Sequence, residues 1–511
     1  MANSKAVSVQ PFFGGFVLET LTIGMYGESR NAIREYVQNS FDAIQRAREL
    51  GLLTRKDGKI EVTLTADGSG LSIRDNGVGI SAKSAVDTLT SVGASKKDYR
   101  TNAGFRGIGR LAGIVFSDEI TFTTKVRGEP EQTIVVYDGR KLREAMAPGV
   151  GGSRSAEELL TECVTATIVD SAEPNSHFFE VKLRGLVEAP PECTDFNKMK
   201  AFLCQVAPLP YSPDFPFKEK ILAAAAKTQI SIDDVNLWLR DGDKRPSQIF
   251  RPYAADYLIE SGRVILEDVD IFTPESAHWW AWIGKKKESG SYKDPLVRGL
   301  RVRLRNIQVD GTDIMRDVFQ KHAASYTRFQ DWFIGEIFAD PRFLVPNARR
   351  DGFEENIAWK AMREELSGVA QTLGRQSYDV SNDAQLTVAS LEKNLKDAQK
   401  KITKLRKAGF KDVDDVISLT EKITSHAKRI AIASQEADLP TIAKLQAINS
   451  ELGDIKRECL SKIGADPSPP DLEQIQTAAR EELIRELIGV FEQQLSTRCA
   501  GEVLGILRGY L

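Results

Sequence analysis

Near residue 380 the spacing of hydrophobic residues changes from a mixture of patterns to a single helical one, and this change limits what each part of the chain can fold into. Beyond that point the apolar residues follow a heptad pattern, which is typical of packed helices. The first run is Leu391, Leu395, Ala398, Ile402 and Leu405, and the second is Leu445, Ile448, Leu452, Ile455 and Cys459. Because Gly409 and Pro440 interrupt the pattern, we expect two or three antiparallel helices of about 25 residues, each about 40 Å long.

Before residue 380, helical and strand patterns alternate. A helix is predicted over residues 30–50, and period-two alternation predicts two strands, 59–64 and 71–74, joined by a turn at 66–70. Further strands are expected at 119–125, 133–137 and 177–183. This order of elements predicts an α/β sandwich.

A proline-rich segment at 208–216 marks a predicted domain boundary. Strand patterns at 279–283 and 300–309 and a helical pattern at 359–373 follow it. The predicted fold class is therefore α/β (α+β), divided into parts that share no fixed repeat. These are a first sandwich over 1–210, a second α/β domain over 217–375, a helical or coiled-coil region over 380–464, and a last helical segment over 471–511.

Composition excludes several classes of protein. No apolar run approaches the roughly 18 residues that a membrane helix needs, and the start of the chain lacks a secretory pattern, so we expect a cytoplasmic protein without a membrane association. The five cysteines form no CxxC pair and only four histidines accompany them, which argues against a zinc site. A formal charge of −3 excludes a globally basic nucleic-acid binder but leaves a local patch open.

Three polar residues of the first long helix share one face. Glu35, Asn39 and Asp42 stand at i, i+4 and i+7 beside an apolar stripe. Taken alone, such a face is ordinarily just solvated.

Two glycine-rich segments follow this helix in the sequence. The first is Asp75-Asn76-Gly77-Val78-Gly79-Ile80 at the end of a strand, where glycine lets the backbone pass close to a flat ligand. The second, Gly104-Phe105-Arg106-Gly107-Ile108-Gly109, can turn N–H groups toward phosphate at a helix start. Individually they also fit a hairpin turn and a flexible loop.

Together and in this order, EYVQNSFDA, DNGVGI and GFRGIGRLA resemble the three motifs of the GHKL superfamily, which includes gyrase B, the ninety-kilodalton heat-shock chaperones, histidine kinases and MutL. The resemblance implies the Bergerat ATP-binding sandwich, with ATP and Mg²⁺ as ligands. It makes Glu35 the general base, Asn39 the Mg²⁺ ligand and Asp75 the acceptor for the adenine amino group, with Asp42 supporting that pocket. The remaining implied nucleotide-binding residues are Gly77, Gly79, Ile80, Gly104, Phe105, Arg106, Gly107, Ile108 and Gly109.

Two further features belong to the same resemblance. Residues 91–97 look like the start of the ATP lid, within which Lys96 would approach phosphate. The family places a threonine on a late strand beside adenine, whereas this chain has Asn175-Ser176-His177 there, so Ser176 or His177 is expected to take its place.

The second domain offers a cation for catalysis. Its sequence is similar to the middle domain of the heat-shock chaperones, in which the catalytic arginine follows an asparagine by three positions. This spacing from Asn347 gives Arg350, with Arg349 as the neighbouring candidate. The alternative is a basic turn that caps a following helix. Trp279, Trp280 and Trp282 are expected in the core.

The resemblance implies an ATPase (ATP and water to ADP and phosphate) that works as a dimeric clamp or chaperone-like machine, a homodimer held by its C-terminal helices, on an unidentified protein or nucleic-acid partner. The alternative is a nucleotide-switched scaffold with little hydrolysis of its own. A histidine kinase lacks support because no phosphoacceptor helix precedes the ATP motifs, and a topoisomerase would need a metal-binding acidic module after the second domain. The basic segment 393–407 is either a solvated helix face or a nucleic-acid contact.

Overall fold

The computed structural model describes residues 12–24, 28–94, 98, 100, 102–104, 106–147, 149, 154–171, 173–309, 311–435 and 437–462. The chain divides into two compact units, residues 1–374 and 375–511, and each is described by itself. The division falls within one long helix, α9, which begins at Ile357 and ends at Leu386.

The first unit contains an eight-stranded sheet with the strand order β5-β4-β3-β6-β2-β1-β7-β8. Its strands are β1 (Lys59–Leu64), β2 (Gly70–Asp75), β3 (Ser117–Lys125), β4 (Glu131–Asp138), β5 (Val164–Asp170), β6 (Phe178–Leu186), β7 (Asn236–Asp241) and β8 (Ser247–Ile249). Neighbouring strands are antiparallel except β1 and β7, which are parallel. The predicted sandwich and the β1–β2 hairpin are thus confirmed.

Helices cover this sheet where the strands carry their apolar residues. Ile60, Val62 and Leu64 of β1 are buried in one cluster with Ile33 and Phe41 of the long helix α2, since alternation in the strand meets the apolar stripe of the helix. The helices of the first unit before α9 are α1 (Phe16–Glu19), α2 (Asn31–Glu49), α3 (Ala82–Thr90), α4 (Gly139–Met146), α5 (Ala156–Cys163), α6 (Phe196–Val206), α7 (Lys218–Lys227) and α8 (Asp313–His322). Short 3-10 helices lie at Gly109–Val115, Pro191–Cys193 and Ala324–Trp332, and a π-helical turn lies at Thr20–Gly24.

The second sheet of this unit has six strands in the order β13-β12-β14-β11-β10-β9. They are β9 (Asp256–Ile259), β10 (Gly262–Phe272), β11 (Trp279–Lys286), β12 (Gly299–Leu304), β13 (Ile307–Val309) and β14 (Ile334–Ala339). All three tryptophans of β11 are buried, as expected. A buried ion network joins Glu336 of β14 to Arg303 of β12 and to Arg251.

The structure differs from the sequence prediction at two places in these sheets. The strand predicted at 300–309 is a hairpin of β12 and β13, because Arg305 and Asn306 adopt positive φ angles of 50° and 63° and reverse the chain. The boundary predicted at 208–216 does not separate the two sheets, because β7 and β8 follow it in sequence and pair with the first sheet.

The described part of the second unit beyond α9 consists of three helices, α10 (Val388–Ala408), α11 (Val413–Ala433) and α12 (Leu439–Lys462). Every residue of the two predicted heptad runs is buried in their shared core. Gly409 ends α10 with a left-handed φ of 67°, as a glycine after a helix commonly does, whereas Pro440 lies in the first turn of α12. The segment predicted at 471–511 lies outside the described residues.

Basic residues lie on the outer side of α10. Lys393, Lys396, Lys400, Lys404 and Lys407 are exposed, on the side of the helix opposite its buried heptad residues. A nucleic-acid contact by this row stays a prediction.

Candidate nucleotide site

A cavity of about 1090 Å³ opens beside α2 in the first unit, and the three predicted polar residues of this helix line it. Glu35 and Asp42 are buried and Asn39 is half-buried. The solvated-face alternative is therefore wrong for these side chains, because the face they share forms a wall of the cavity.

The end of β2 forms another wall. Asp75 is buried, and its Oδ1 atom accepts a hydrogen bond of 2.8 Å from the N–H of Gly77. A Cβ on Gly77 would lie 2.5 Å from the Cβ of Ala43, and one on Gly79 would overlap the carbonyl oxygen of Lys125. Gly79 also has a φ of 68°. Glycine is thus required at both positions by close approach of the backbone.

The second glycine segment is held against the same helix. The carboxylate of Asp42 accepts hydrogen bonds from the N–H groups of Ala103, at 2.8 Å, and Gly104, at 3.0 Å. A Cβ on Gly104 would lie 2.8 Å from Oδ1 of Asn39, and one on Gly109 would lie 2.5 Å from Oε2 of Glu35. Asp42 therefore anchors the glycine segment, a contact that the sequence did not indicate.

Arg350 enters the cavity from the loop that follows β14. Its Nε atom lies 3.1 Å from Oε1 of Glu35, and its Nη2 atom donates to the carbonyl oxygen of Ala103. The side chains of Arg350 and Glu35 are only 7% and 12% exposed. One guanidinium therefore joins the carboxylate of α2 to the glycine segment.

The loop around Arg350 is a tight turn rather than the start of a helix. The N–H of Asn347 donates to the carbonyl oxygen of Gly352, and the side chain of Asn347 exchanges hydrogen bonds with Asp351. Arg350 has a φ of 58°, a left-handed conformation that is unfavourable for a residue other than glycine. The next helix, α9, begins only at Ile357, so the alternative of a helix-capping basic turn is wrong.

Two arginines near the glycine segment hold this loop through its backbone. Arg106 donates to the carbonyl oxygens of Pro346, at 3.0 Å, and Asn347, at 3.3 Å, and pairs with Glu354 at 2.6 Å. Arg34 of α2 donates to the carbonyl oxygen of Arg349 at 3.1 Å. The side chain of Arg349 itself is exposed, so the structure brings Arg350, and not Arg349, to Glu35.

Aromatic residues that sequence reasoning missed line the cavity near Asp75. Phe179 stands opposite Asp75 in the β2–β6 register, and the ring centroids of Phe179 and Phe122 are 5.9 Å apart. Of the residues expected to replace the threonine, Ser176 donates to the carbonyl oxygen of Glu173, and Nδ1 of His177 lies 2.8 Å from the carbonyl oxygen of Gly77. Phe179 is identified by the pairing register of β2 and β6, which cannot be read from a single sequence.

The remaining predicted residues divide between the cavity and the undescribed part of the chain. Ile80, Gly107 and Ile108 line the cavity, and Gly107 has a φ of 71°. The carbonyl oxygen of Gly107 accepts from the N–H of Gly93 in the predicted lid at 3.4 Å. Lys96 and Phe105 lie outside the described residues. The cavity also contains Arg110, which was not predicted as a site residue.

Metal-ligating clusters and membrane-spanning helices are both absent from the described residues. No group of three histidine, cysteine or acidic side chains in this part of the chain could hold a metal ion. None of the helices described above combines the length and apolar character needed to cross a bilayer.

The fold and the cavity define an ATP-binding domain of the GHKL class. Residues 27–146 match the family of histidine kinase-, DNA gyrase B- and HSP90-like ATPases, in agreement with the resemblance of the three motifs to the GHKL superfamily.

The chain is also similar to several proteins named chaperone protein HtpG. The chain is 26% identical over 144 residues to the chaperone protein HtpG of Sulfurovum sp. (strain NBC37-1), and 26% identical over 149 residues to that of Rickettsia akari (strain Hartford). These matches cover 24% and 25% of this chain and 23% and 24% of the relatives. The HtpG of Shewanella sp. (strain W3-18-1) is 21% identical over 404 residues, which is 72% of this chain and 57% of that protein.

Proposed function

We propose that this chain binds ATP with Mg²⁺ in the cavity beside α2 and hydrolyses it to ADP and phosphate. The observation that carries the proposal is the ion pair between Glu35 and Arg350 inside this cavity. It brings a carboxylate able to take a proton and a cation able to meet negative charge into one site, which phosphoryl transfer to water requires.

The nucleotide would lie along the cavity with its base at β2. The carboxylate of Asp75 would accept a hydrogen bond from the amino group of adenine, whereas guanine presents a carbonyl oxygen at the same position. Phe122 and Phe179 supply apolar contact for a flat ring. The N–H groups of the glycine segment, anchored by Asp42, would face the phosphates.

Asn39 fits the role of a Mg²⁺ ligand. Its amide oxygen lies beside Gly104 in the cavity, and oxygen is the donor that Mg²⁺ prefers. Mg²⁺ commonly keeps waters and phosphate oxygens as its other ligands, so a single protein oxygen suffices. The ion would neutralise charge on the phosphate chain.

In hydrolysis, water attacks the γ-phosphorus, the bond from that phosphorus to the bridging oxygen of ADP breaks, and the water proton passes to Glu35. Arg350 would meet the charge on the γ-phosphate oxygens. For this, the guanidinium of Arg350 would leave Glu35 in part and contact the γ-phosphate instead. One carboxylate oxygen of Glu35 would then be free to accept the proton of the attacking water. The contacts of Arg34 and Arg106 with the Arg350 loop keep this cation within reach.

We further propose that this cycle drives a chaperone-like clamp, a cytoplasmic homodimer joined through its C-terminal helices, acting on a protein or nucleic-acid partner. The loop that carries Arg350 is bonded to the glycine segment through Arg106, so a change at the phosphates can be transmitted to the second sheet. Helices α10, α11 and α12 pack around a shared apolar core. This packing supports a helical structure for the part of the tail that would join the dimer.

One observation favours a second candidate, a nucleotide-switched scaffold. Glu35 is engaged by Arg350, so the base is occupied until this ion pair opens. If ATP alone does not open it, hydrolysis would wait for a partner.

Steady-state ATP hydrolysis with Mg²⁺, measured for the wild type and for Glu35→Ala, tests the proposal. Turnover that disappears in the variant, while ATP binding persists, supports the ATPase. ATP binding without turnover in the wild type would refute intrinsic hydrolysis and favour the scaffold. Failure of the wild type to bind ATP in calorimetry would refute both.

A further inference from the structure

Five exposed lysines form a row along α10 and take no part in the proposed reaction. The members of this lysine row are Lys393, Lys396, Lys400, Lys404 and Lys407. Successive members are three or four residues apart, so they fall on one stripe of the helix, opposite the residues that α10 buries against α11 and α12. At a rise of 1.5 Å per residue, the row extends over about 21 Å.

The lysine row presents one sign of charge. Cations on the flanks of α10 pair with carboxylates of the neighbouring helices, in the pairs Lys401–Asp415 and Arg406–Glu458. Among the described residues, the row itself forms one ion pair, between Lys400 and Asp397 at 3.8 Å, and these side chains are 78% and 60% exposed. Because water surrounds so exposed a pair, it offsets little of the charge of the row.

This arrangement is unfavourable for the helix itself. Residues three or four apart on a helix are neighbours, and like charges at these spacings repel each other. The lysine row contains four such contacts in succession, at positions 393 and 396, 396 and 400, 400 and 404, and 404 and 407. The exposed side of α11, in contrast, includes both signs of charge, as at Glu421 and Lys422. A polyanion lying along the row would replace this repulsion by attraction.

The surroundings of the row favour a phosphate backbone over other acidic partners. The core of a protein interface is rich in aromatic residues and depleted of lysine, and α10 contains no aromatic residue between Val388 and Ala408. A helix that binds a membrane surface inserts its apolar face into the lipid, whereas the leucine and isoleucine residues of α10 are buried against α11 and α12. Phosphates require only the ammonium groups. The row advances about 5 Å between charges, a spacing comparable with the phosphates of one nucleic-acid strand, about 3.4 Å apart along the helix axis.

We propose that the lysine row binds the phosphate backbone of nucleic acid. The inference rests on the proposed function in one respect, since it chooses nucleic acid from the two partners named there, and it requires neither ATP binding nor hydrolysis. Phosphate contacts carry no sequence information, so the binding is independent of base sequence. It weakens steeply with salt, because each neutralised phosphate releases counterions.

Fluorescence anisotropy of labelled DNA tests the inference with the full-length chain. The probes are a duplex of about 20 base pairs of mixed sequence and one of its strands, titrated between about 50 and 200 mM salt. The row variant replaces all five lysines with glutamine, which has nearly the same helix propensity. The control variant changes the net charge by the same amount through five exposed lysines of the first unit, Lys56, Lys227, Lys293, Lys321 and Lys360.

The wild type should bind the duplex with a slope of log affinity against log salt of about −4.5, which is about 0.9 for each of five phosphates. Its affinity should therefore fall by several hundredfold over this salt range. The row variant should bind about hundredfold more weakly at the lowest salt and lose most of the salt dependence. The control variant should stay within about threefold of the wild type, because single exposed lysines far apart do not follow a backbone.

Thermal melting separates this role from a structural one. The row variant should melt at or above the wild-type temperature, because the repulsions between lysines are removed. If this variant does not fold, Lys404→Gln decides: it should lower the salt slope by about 0.9, a change that loss of folded protein does not produce, and an unchanged slope would overturn the inference.

Four results would overturn the inference in the folded proteins. They are a wild type that binds neither probe, a row variant that binds as the wild type does, a control variant that loses as much, and polyglutamate binding as tight as that of the duplex, which would indicate an acidic protein partner. ATP hydrolysis measured without DNA should be the same in the row variant and the wild type. A wild type that binds DNA but not ATP would refute the proposed nucleotide site alone, whereas one that binds ATP but not DNA would overturn this inference alone.

Discussion

Replacing Arg350 with alanine tests the centre of the proposed site. The change removes the cation that lies 3.1 Å from Glu35 and that also donates to the carbonyl oxygen of Ala103. Breaking a buried ion pair by removing one partner costs several kcal/mol, about 3–5 in closed interiors. Since this pair lines an open cavity and water can reach Glu35 in the variant, we expect a loss of about 2 kcal/mol in the free energy of unfolding.

The same substitution should reduce kcat by at least tenfold, equivalent to about 1.4 kcal/mol of transition-state stabilisation. ATP affinity should change little, because the adenine contacts and the glycine segment remain. The assay is steady-state phosphate release with saturating ATP, combined with chemical unfolding of the nucleotide-free protein. Arg349→Ala is the matched control, since the side chain of Arg349 is exposed and its contact with Arg34 is made by the backbone carbonyl oxygen, which alanine retains.

A second variant at this position separates the effect of the backbone conformation from that of the side chain. Arg350 has a φ of 58°, which glycine adopts more easily than alanine by about 1 kcal/mol. Arg350→Gly should therefore be more stable than Arg350→Ala while losing the same catalytic contribution. Unchanged turnover in Arg350→Ala, or an equal loss of turnover in Arg349→Ala, would refute the assignment of the catalytic cation.

The remaining predictions concern the base, the adenine contact and the helical tail. Asp75→Asn should abolish detectable ATP binding, because the amide can turn a donor toward the adenine amino group, and unchanged affinity in calorimetry would reject that contact. Glu35→Ala should retain ATP affinity within a few-fold and lose turnover; residual turnover near the wild-type rate would mean that another group takes the proton. A chain ending after Leu386, where α9 ends, should be monomeric in light scattering, and a dimer of this truncated protein would exclude the tail as the joining element.

Structural elements that depend on residues close together in the sequence could be predicted. The helix that carries Glu35, the β1–β2 hairpin and the heptad helices each follow from a short period of apolar residues, and all are present. The motifs also predicted which residues meet, since Glu35, Asn39 and Asp75 line one cavity. Their chemical roles stay predictions.

Features set by distant contacts could not be predicted. The parallel pairing of β7 with β1 joins residues almost 180 positions apart, and local alternation does not state which strand lies beside which. The turn at Arg305 and Asn306 has positive φ angles but contains no glycine, the residue that usually indicates such a turn in a sequence. The bonds from Arg34 and Arg106 end on backbone carbonyl oxygens, which every residue possesses, so no side-chain pattern marks them.

The place of β7 and β8 in the first sheet affects how this protein can be cut into fragments. A fragment ending at the proline-rich segment would retain β1 and lose the strand that pairs with its outer side. The N–H and C=O groups of Lys59–Leu64 would then form an open sheet edge, which invites pairing with other chains and aggregation. A recombinant nucleotide-binding fragment should instead extend past Ile249, the end of β8, so that the strand protecting β1 is carried with it.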